Sequence, residues 1–156
     1  MTPAARVSAA IEVLADIESR RRPAADAMKD WGLAHRFAGS GDRAAISALV
    51  YDALRRKSSS AWLMGDSTPR AHVVGALKQT RGLDLAAIAA LFTGERHAPP
   101  PLSEAERERL ASATLAGAPP HVAGDYPEWL APEFEAAFGA AAAAPKAPVI
   151  MARLGR

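Results

Sequence analysis

Ile46, Leu49, Val50, Ala53 and Leu54 stand at i, i+3, i+4, i+7 and i+8, and no other feature constrains the fold of this chain as tightly. That spacing lays one continuous apolar stripe along an α-helix and cannot line one face of a strand, whose period is two. Asp42-Arg43 stands at the head of the run, with Asp42 placed to accept hydrogen bonds from the unpaired N–H groups of a first turn. The run reads as the central helix of the core. Leu49 and Leu54 are expected to be its most sensitive positions, each costing about 2–5 kcal/mol on truncation to Ala if buried.

Similar stripes recur on either side. Pro3 suits a first turn, and Val7, Ile11, Leu14 and Ile17 predict a helix ending near Arg20 to Arg22. Pro23 opens a second helix through Met28, Trp31 and Leu33 to about Phe37, closed by Gly39-Ser40-Gly41. After the third helix, Ser58-Ser59-Ser60 reads as a break, followed by a short apolar turn with Trp62, Leu63 and Met64. Thr68-Pro69 begins a helix with Val73, Val74 and Leu77 inward and Arg81-Gly82 at its end. Asp84 caps a short helix lined by Leu85, Ile88, Leu91 and Phe92 and closed by Gly94. The prolines of residues 95–102 make a loop, and Ser103 with Glu106 forms a capping box for a helix to about Leu115, ended by Pro119-Pro120. A last helix from Pro127 presents Trp129, Leu130, Phe134 and Phe138, and Gly139 ends it. The expectation is an all-α bundle of about seven helices over residues 1–139. An Ala- and Pro-rich tail over 140–156 is expected to be poorly ordered.

A chain of 156 residues has room for one domain of ordinary size. It has no cysteine, which excludes disulfides, thiolate metal sites and cysteine nucleophiles, and fits a reducing cytoplasm. Charges interrupt every apolar stretch, so neither a signal peptide nor a membrane span is expected. Residues 1–98 carry 14 Lys+Arg against 10 Asp+Glu, and residues 99–139 carry 2 against 7, so any face for a polyanion belongs on the first helices.

Arg6 in helix one, the Asp42-Arg43 opening, Tyr51 followed by Leu54-Arg55, the Pro69-Arg70 start and the block Tyr126-Pro127-Glu128-Trp129-Leu130 occur in a particular order and spacing. In these features residues 5–139 resemble the N-terminal, NusB-like RNA-binding domain of the Sun-type rRNA cytosine methyltransferases. The resemblance implies an all-helical module that positions rRNA or other structured RNA beside a catalytic domain. In the family that domain binds S-adenosylmethionine through a glycine-rich loop after a strand and attacks the cytosine ring with a cysteine. Neither feature is in this chain, because Gly39-Ser40-Gly41 lies between helices. No catalytic, cofactor or metal residue is therefore assigned, and the chain is not expected to transfer methyl groups alone. The tail departs from the family after Gly139: Ala147-Pro148-Val149 echoes the strand that enters the catalytic half, but no Asp-Leu-Arg follows. This reads as a truncated form, a short natural RNA-binding protein, or an inactive remnant.

By the resemblance, the start of helix one points to Arg6 as an RNA contact. By composition, the candidates are Arg20, Arg21 and Arg22 at the end of helix one and Arg55, Arg56 and Lys57 at the end of helix three. Cations at helix C-termini also suit the helix dipole, whatever the protein binds. Trp129, just after the proline at the domain exit, is the expected interdomain contact, and its surface would support weak self-association. Trp31 and Trp62 read as packing residues, the four histidines show no ligand spacing, and Glu104, Glu106 and Glu108 are explained by the helix start. A helix-turn-helix DNA reader is disfavoured because residues 93–102 are too long for its turn. A NusB-like antitermination factor, acting in regulation of transcription, shares fold and RNA partner but has no use for the exit block Tyr126–Leu130.

Overall fold

The computed structural model describes residues 1–138; the expected boundary at Gly139 and the whole tail 140–156 lie outside the described residues. Within them the chain is all-α: α1 (Pro3–Arg20), α2 (Ala24–Ala34), α3 (Ser40–Arg55), α4 (Lys57–Met64), α5 (Pro69–Arg81), α6 (Leu85–Ala89), α7 (Glu104–Ser112), α8 (Pro120–Ala123), a 3-10 turn (Glu128–Leu130) and α9 (Ala131–Phe138). No helix among the described residues is long and apolar enough to cross a membrane.

Several ends are set by the local chemistry the sequence announces. Thr68 accepts from Ala71 N–H at 3.1 Å, Asp84 from Ala87 N–H at 2.8 Å, and Ser103 and Glu106 close their reciprocal box. Thr2 caps α1 in the same way, a cap not anticipated. Asp42 is a correction. The cap of α3 is Gly39, and Asp42 sits within the first turn, where its carboxylate accepts from Arg6 Nε at 3.0 Å and Nη2 at 2.8 Å. The helix starts three residues before Arg43, at Ser40, with no side-chain cap from Gly39 and with Asp42 engaged by Arg6 of α1.

The central helix is α5, not α3. Every residue from Ala71 to Leu77 is buried, a helix enclosed on all sides, with α1, α3, α4 and α6 packed around it. On α3, Ile46, Leu49, Val50 and Ala53 are buried as expected, while Leu54 is half-buried at its flank. On α1 the buried face is Val7, Ala9, Ala10, Val13 and Leu14, and Ile11 and Ile17 lie at its edges. The small residues there let α1 approach its neighbours closely.

Ser58-Ser59-Ser60 does not break the chain; it lies inside α4, and Ser59 and Ser60 are fully buried. The reason is a close antiparallel crossing of α4 and α5. A Cβ placed on Gly75 would fall 2.3 Å from Ser60 Cβ, so only glycine fits there. Gln79 Nε2 donates to Ser59 Oγ at 2.9 Å and Ser60 Oγ at 3.2 Å, which satisfies the buried hydroxyls. α7 is held from two sides: Arg109 donates to the carbonyls of Leu63 and Trp62 at the end of α4, and Lys78 Nζ donates to the carbonyls of Leu110 and Ala113 at the end of α7. The helix stops at Ser112, short of Leu115, and α6 stops at Ala89, short of Gly94. Pro119-Pro120 therefore does not end α7, which stops seven residues earlier. Pro120 opens α8, and α4 and α8 are the two helices beyond the seven expected.

The exit block is folded onto this frame. Tyr126 is buried and stacks on Phe134 with ring centroids 4.3 Å apart, making a small second core with Leu130 and Ala131. The expected single helix from Pro127 is a 3-10 turn followed by α9, with Pro132 in the first turn of α9.

Candidate nucleic-acid interface

α1 and α3 run parallel, because Arg6 meets Asp42 at their starts, and Lys57, two residues past the end of α3, lies 3.7 Å from Glu18 near the end of α1. This brings Arg20–Arg22 and Arg55–Lys57, the two basic clusters expected to meet RNA, to one end of the bundle. Arg6 lies at the other end, roughly 20 Å away along α1 at 1.5 Å per residue.

Most of these cations already face carboxylates. Arg20 reaches Asp16 at 3.3 Å, Arg22 reaches Asp16 at 2.8 Å and also pairs with Asp30, and Arg55 reaches Asp52 at 3.3 Å. The Asp30 partnership, set against burial, holds the Arg22 guanidinium above its ordinary range. Arg6 holds Asp42 below the usual carboxylate range, with the N-terminal ammonium and Gly39 acting in the same direction against burial. Arg20, Arg21 and Lys57 are exposed, and Arg21, which makes no ion pair among the described residues, has left-handed backbone at φ 52° where α1 ends. Arg56 is half-buried, and its charge acts on Asp125. Trp129 lies on the 3-10 turn, 74% exposed.

A different surface carries free positive charge. Between α2 and α3 runs an open groove of about 950 Å³, lined among others by Met28, Lys29, Leu33, Arg36, Arg43 and Ser47, with no Asp or Glu among its lining residues. Lys29 and Arg36 have no ion-pair partner among the described residues. Arg43 Nη1 donates to the Ala38 carbonyl at 3.1 Å, and its side-chain stem crosses so close over Gly32 that a Cβ there would stand 3.1 Å from Arg43 Cδ.

The corner joining α2 to α3 is aromatic. Trp31 and His35 are one helical turn apart and stack at 4.2 Å with an 11° tilt, and His35 Nδ1 donates to the Trp31 carbonyl at 2.8 Å. Phe37 meets His35 edge-on at 5.9 Å and is 74% exposed. These three rings line a cavity of about 740 Å³ together with Thr2, with Ala5, Ser8 and Glu12 of α1, and with Arg96 and His97. Arg36, between His35 and Phe37 in sequence, lines the basic groove instead.

Sequence reasoning missed Lys29, Arg36 and Arg43 because they are not contiguous. No periodicity joins them, since Lys29 lies on α2, Arg36 in the turn after it and Arg43 on α3.

A third arrangement mimics hydrolytic chemistry. Ser67 Oγ lies 3.2 Å from His72 Nε2, and His72 Nδ1 lies 2.9 Å from Glu18 Oε1. Burial lowers the His72 pKa, against the pull of Glu18, so the imidazole is held neutral. The ring is 1% exposed, and neither it nor Ser67 lines the basic groove or the aromatic cavity. The array satisfies a buried histidine on both nitrogens, with Ser67 exposed at its outer end and the imidazole enclosed.

No protein-family model, curated protein or solved structure matches this chain.

Proposed function

We propose that this chain is an RNA-binding module of the kind the Sun-type rRNA cytosine methyltransferases carry before their catalytic domain, working in the cytoplasm to position rRNA and not itself catalytic. The observation that supports RNA binding most is the groove of Lys29, Arg36 and Arg43, free of carboxylates, with the exposed ring of Phe37 next in sequence to Arg36. Cations that track a phosphate backbone, interleaved with rings that accept bases, are what single-stranded or looped RNA requires. The predicted clusters at the other end of α1 would contribute a weaker, carboxylate-compensated field.

Support for the methyltransferase relative over a free-standing antitermination factor comes from the exit block, which is anchored to α4 and leaves Trp129 outward. In that reading Trp129 packs on a catalytic domain, which would also bind S-adenosylmethionine. Without that domain, Trp129 would support weak self-association, visible by sedimentation at rising concentration.

The test is a titration of the protein against a small-subunit rRNA fragment and duplex DNA of equal length at several salt concentrations. Tighter binding to RNA, with log K falling as log salt rises, is the expected result; weak and equal binding to both would overturn the reading.

A further inference from the structure

We infer that the cavity at the α2–α3 corner is a pocket for one unstacked nucleobase, its phosphate carried by Arg36 on the adjoining groove. This deepens the RNA-binding reading and rests on it. Three independent features point the same way. The cavity, about 740 Å³, is in the size range of small-ligand sites and is walled by Trp31, His35 and Phe37. Phe37 is 74% exposed, although its neighbours His35 and Trp31 offer it a stack to complete. An aromatic ring held at the mouth of a cavity presents a π-face on which any base can stack.

The polar groups suit a base edge. Trp31 carries an indole N–H that is buried without a hydrogen-bond partner among the described residues, so a base would reach it only by shifting the ring. Because His35 Nδ1 donates to the Trp31 carbonyl, His35 Nε2 is left as an acceptor when the ring is neutral. A nucleobase offers both donors and acceptors along its edge. His97, at the rim, holds left-handed backbone at φ 67°, a conformation that non-glycine residues adopt infrequently and that clusters at ligand sites.

Charge sets the direction of the attached phosphate. Glu12 is the one carboxylate lining the cavity and would repel it, whereas Arg96 lies on the same rim and Arg36 opens onto the carboxylate-free groove. The backbone of a bound strand therefore leaves toward Arg36 and continues past Arg43 and Lys29.

The deciding experiment compares the full chain with Phe37→Ala and Arg36→Ala, titrated with a single-stranded oligoadenylate pentamer over several salt concentrations and, separately, with adenosine monophosphate. The exposure of Phe37 makes loss of fold by the first variant improbable, and circular dichroism checks it. Phe37→Ala is expected to bind the pentamer about tenfold more weakly, the scale of one lost base stack, with an unchanged salt slope; Arg36→Ala is expected to flatten the slope. Equal pentamer binding by Phe37→Ala and the unaltered protein would overturn the pocket while leaving RNA binding in place. If the unaltered protein binds no RNA, the reading beneath falls, and adenosine monophosphate decides: binding weakened by Phe37→Ala assigns the cavity to a free nucleotide, and no binding overturns it.

Discussion

Ser59 and Asp125, 66 residues apart, meet through two hydrogen bonds: Ser59 N–H donates to Oδ1 at 2.7 Å, and Ser59 Oγ donates to Oδ2 at 2.5 Å. Gln79 Nε2 donates to the same Oγ, so the three side chains form a directed chain from α5 through α4 to the exit block. Burial pushes the Asp125 carboxyl above the usual range even though Ser59 and Arg56 pull it down. The carboxylate thus trades solvation for fixing the start of the exit segment, and its own backbone turns through φ 55° to do so.

Replacing Asp125 by Ala leaves the buried Ser59 N–H without its acceptor, leaves the hydroxyl only the Arg56 carbonyl at 3.3 Å, and puts a non-polar side chain at a left-handed position. The expected loss is about 1–3 kcal/mol, read as a lowered midpoint of thermal unfolding. Asp125→Asn, which keeps one carbonyl acceptor and tolerates the left-handed turn, is expected to lose less. Equal midpoints for all three proteins would mean that the exit block is not anchored through this pair.

Gly75→Ala tests the α4–α5 crossing. Its new methyl group would stand 2.3 Å from Ser60 Cβ and 2.6 Å from Ser60 Cα, so trimming Ser60 removes only part of the clash. The expected cost is about 1–3 kcal/mol or more, as for other overpacked cores. Because the backbone itself is in the way, the double variant Gly75→Ala, Ser60→Gly is expected to remain well below the unaltered protein in a denaturant titration. Full recovery would show that the helices can part.

How far the sequence spoke for the fold depended on whether the information was local. Thr68, Asp84, Ser103 and Glu106 act within three or four residues, and their caps form as read. Ser58-Ser59-Ser60 misled because the partners that make serine acceptable inside α4, namely Gly75, Gln79 and Asp125, are distant in the chain. The same applies to Asp42, claimed by Arg6 instead of by its own helix end, and to α5, whose enclosure depends on four other helices. Of the candidate interface, the net basic character of the first helices was legible. Which cations meet carboxylates was legible for Arg20, an i,i+4 partner of Asp16 on α1, but not for Arg22, which reaches Asp16 and Asp30 only once the chain has turned at Arg21.

His72 predicts a pH dependence of stability. The ring faces Glu18 and Ser67, with Lys57 and Asp66 nearby, and burial depresses its pKa in the folded chain relative to the ordinary value of 6.5. The unfolded chain therefore takes up a proton first as pH falls. Stability from this group is fully present above about pH 6.5 and is lost progressively below it, toward the lower folded value. His72→Gln, which cannot titrate, is expected to flatten the unfolding midpoint between pH 7 and pH 5. An unaltered slope in that variant would move the effect to other groups.

The last prediction separates the two basic surfaces. Each phosphate contact on a single strand contributes about −0.7 to the slope of log K against log salt. Lys29, Arg36 and Arg43 have no carboxylate in their groove, so converting all three to Ala is expected to flatten the slope by about 2 and to weaken RNA broadly at low salt. Arg20, Arg22 and Arg55 must leave Asp16, Asp30 and Asp52 to reach a phosphate, and each such exchange swaps one ion pair for another. Converting Arg20, Arg22 and Arg55 to Ala is therefore expected to change the slope by less than one, and also to leave Asp16, Asp30 and Asp52 uncompensated at that end of the bundle. If the second triple variant flattens the slope more than the first, RNA lies along the ends of α1 and α3, and the groove between α2 and α3 serves another purpose.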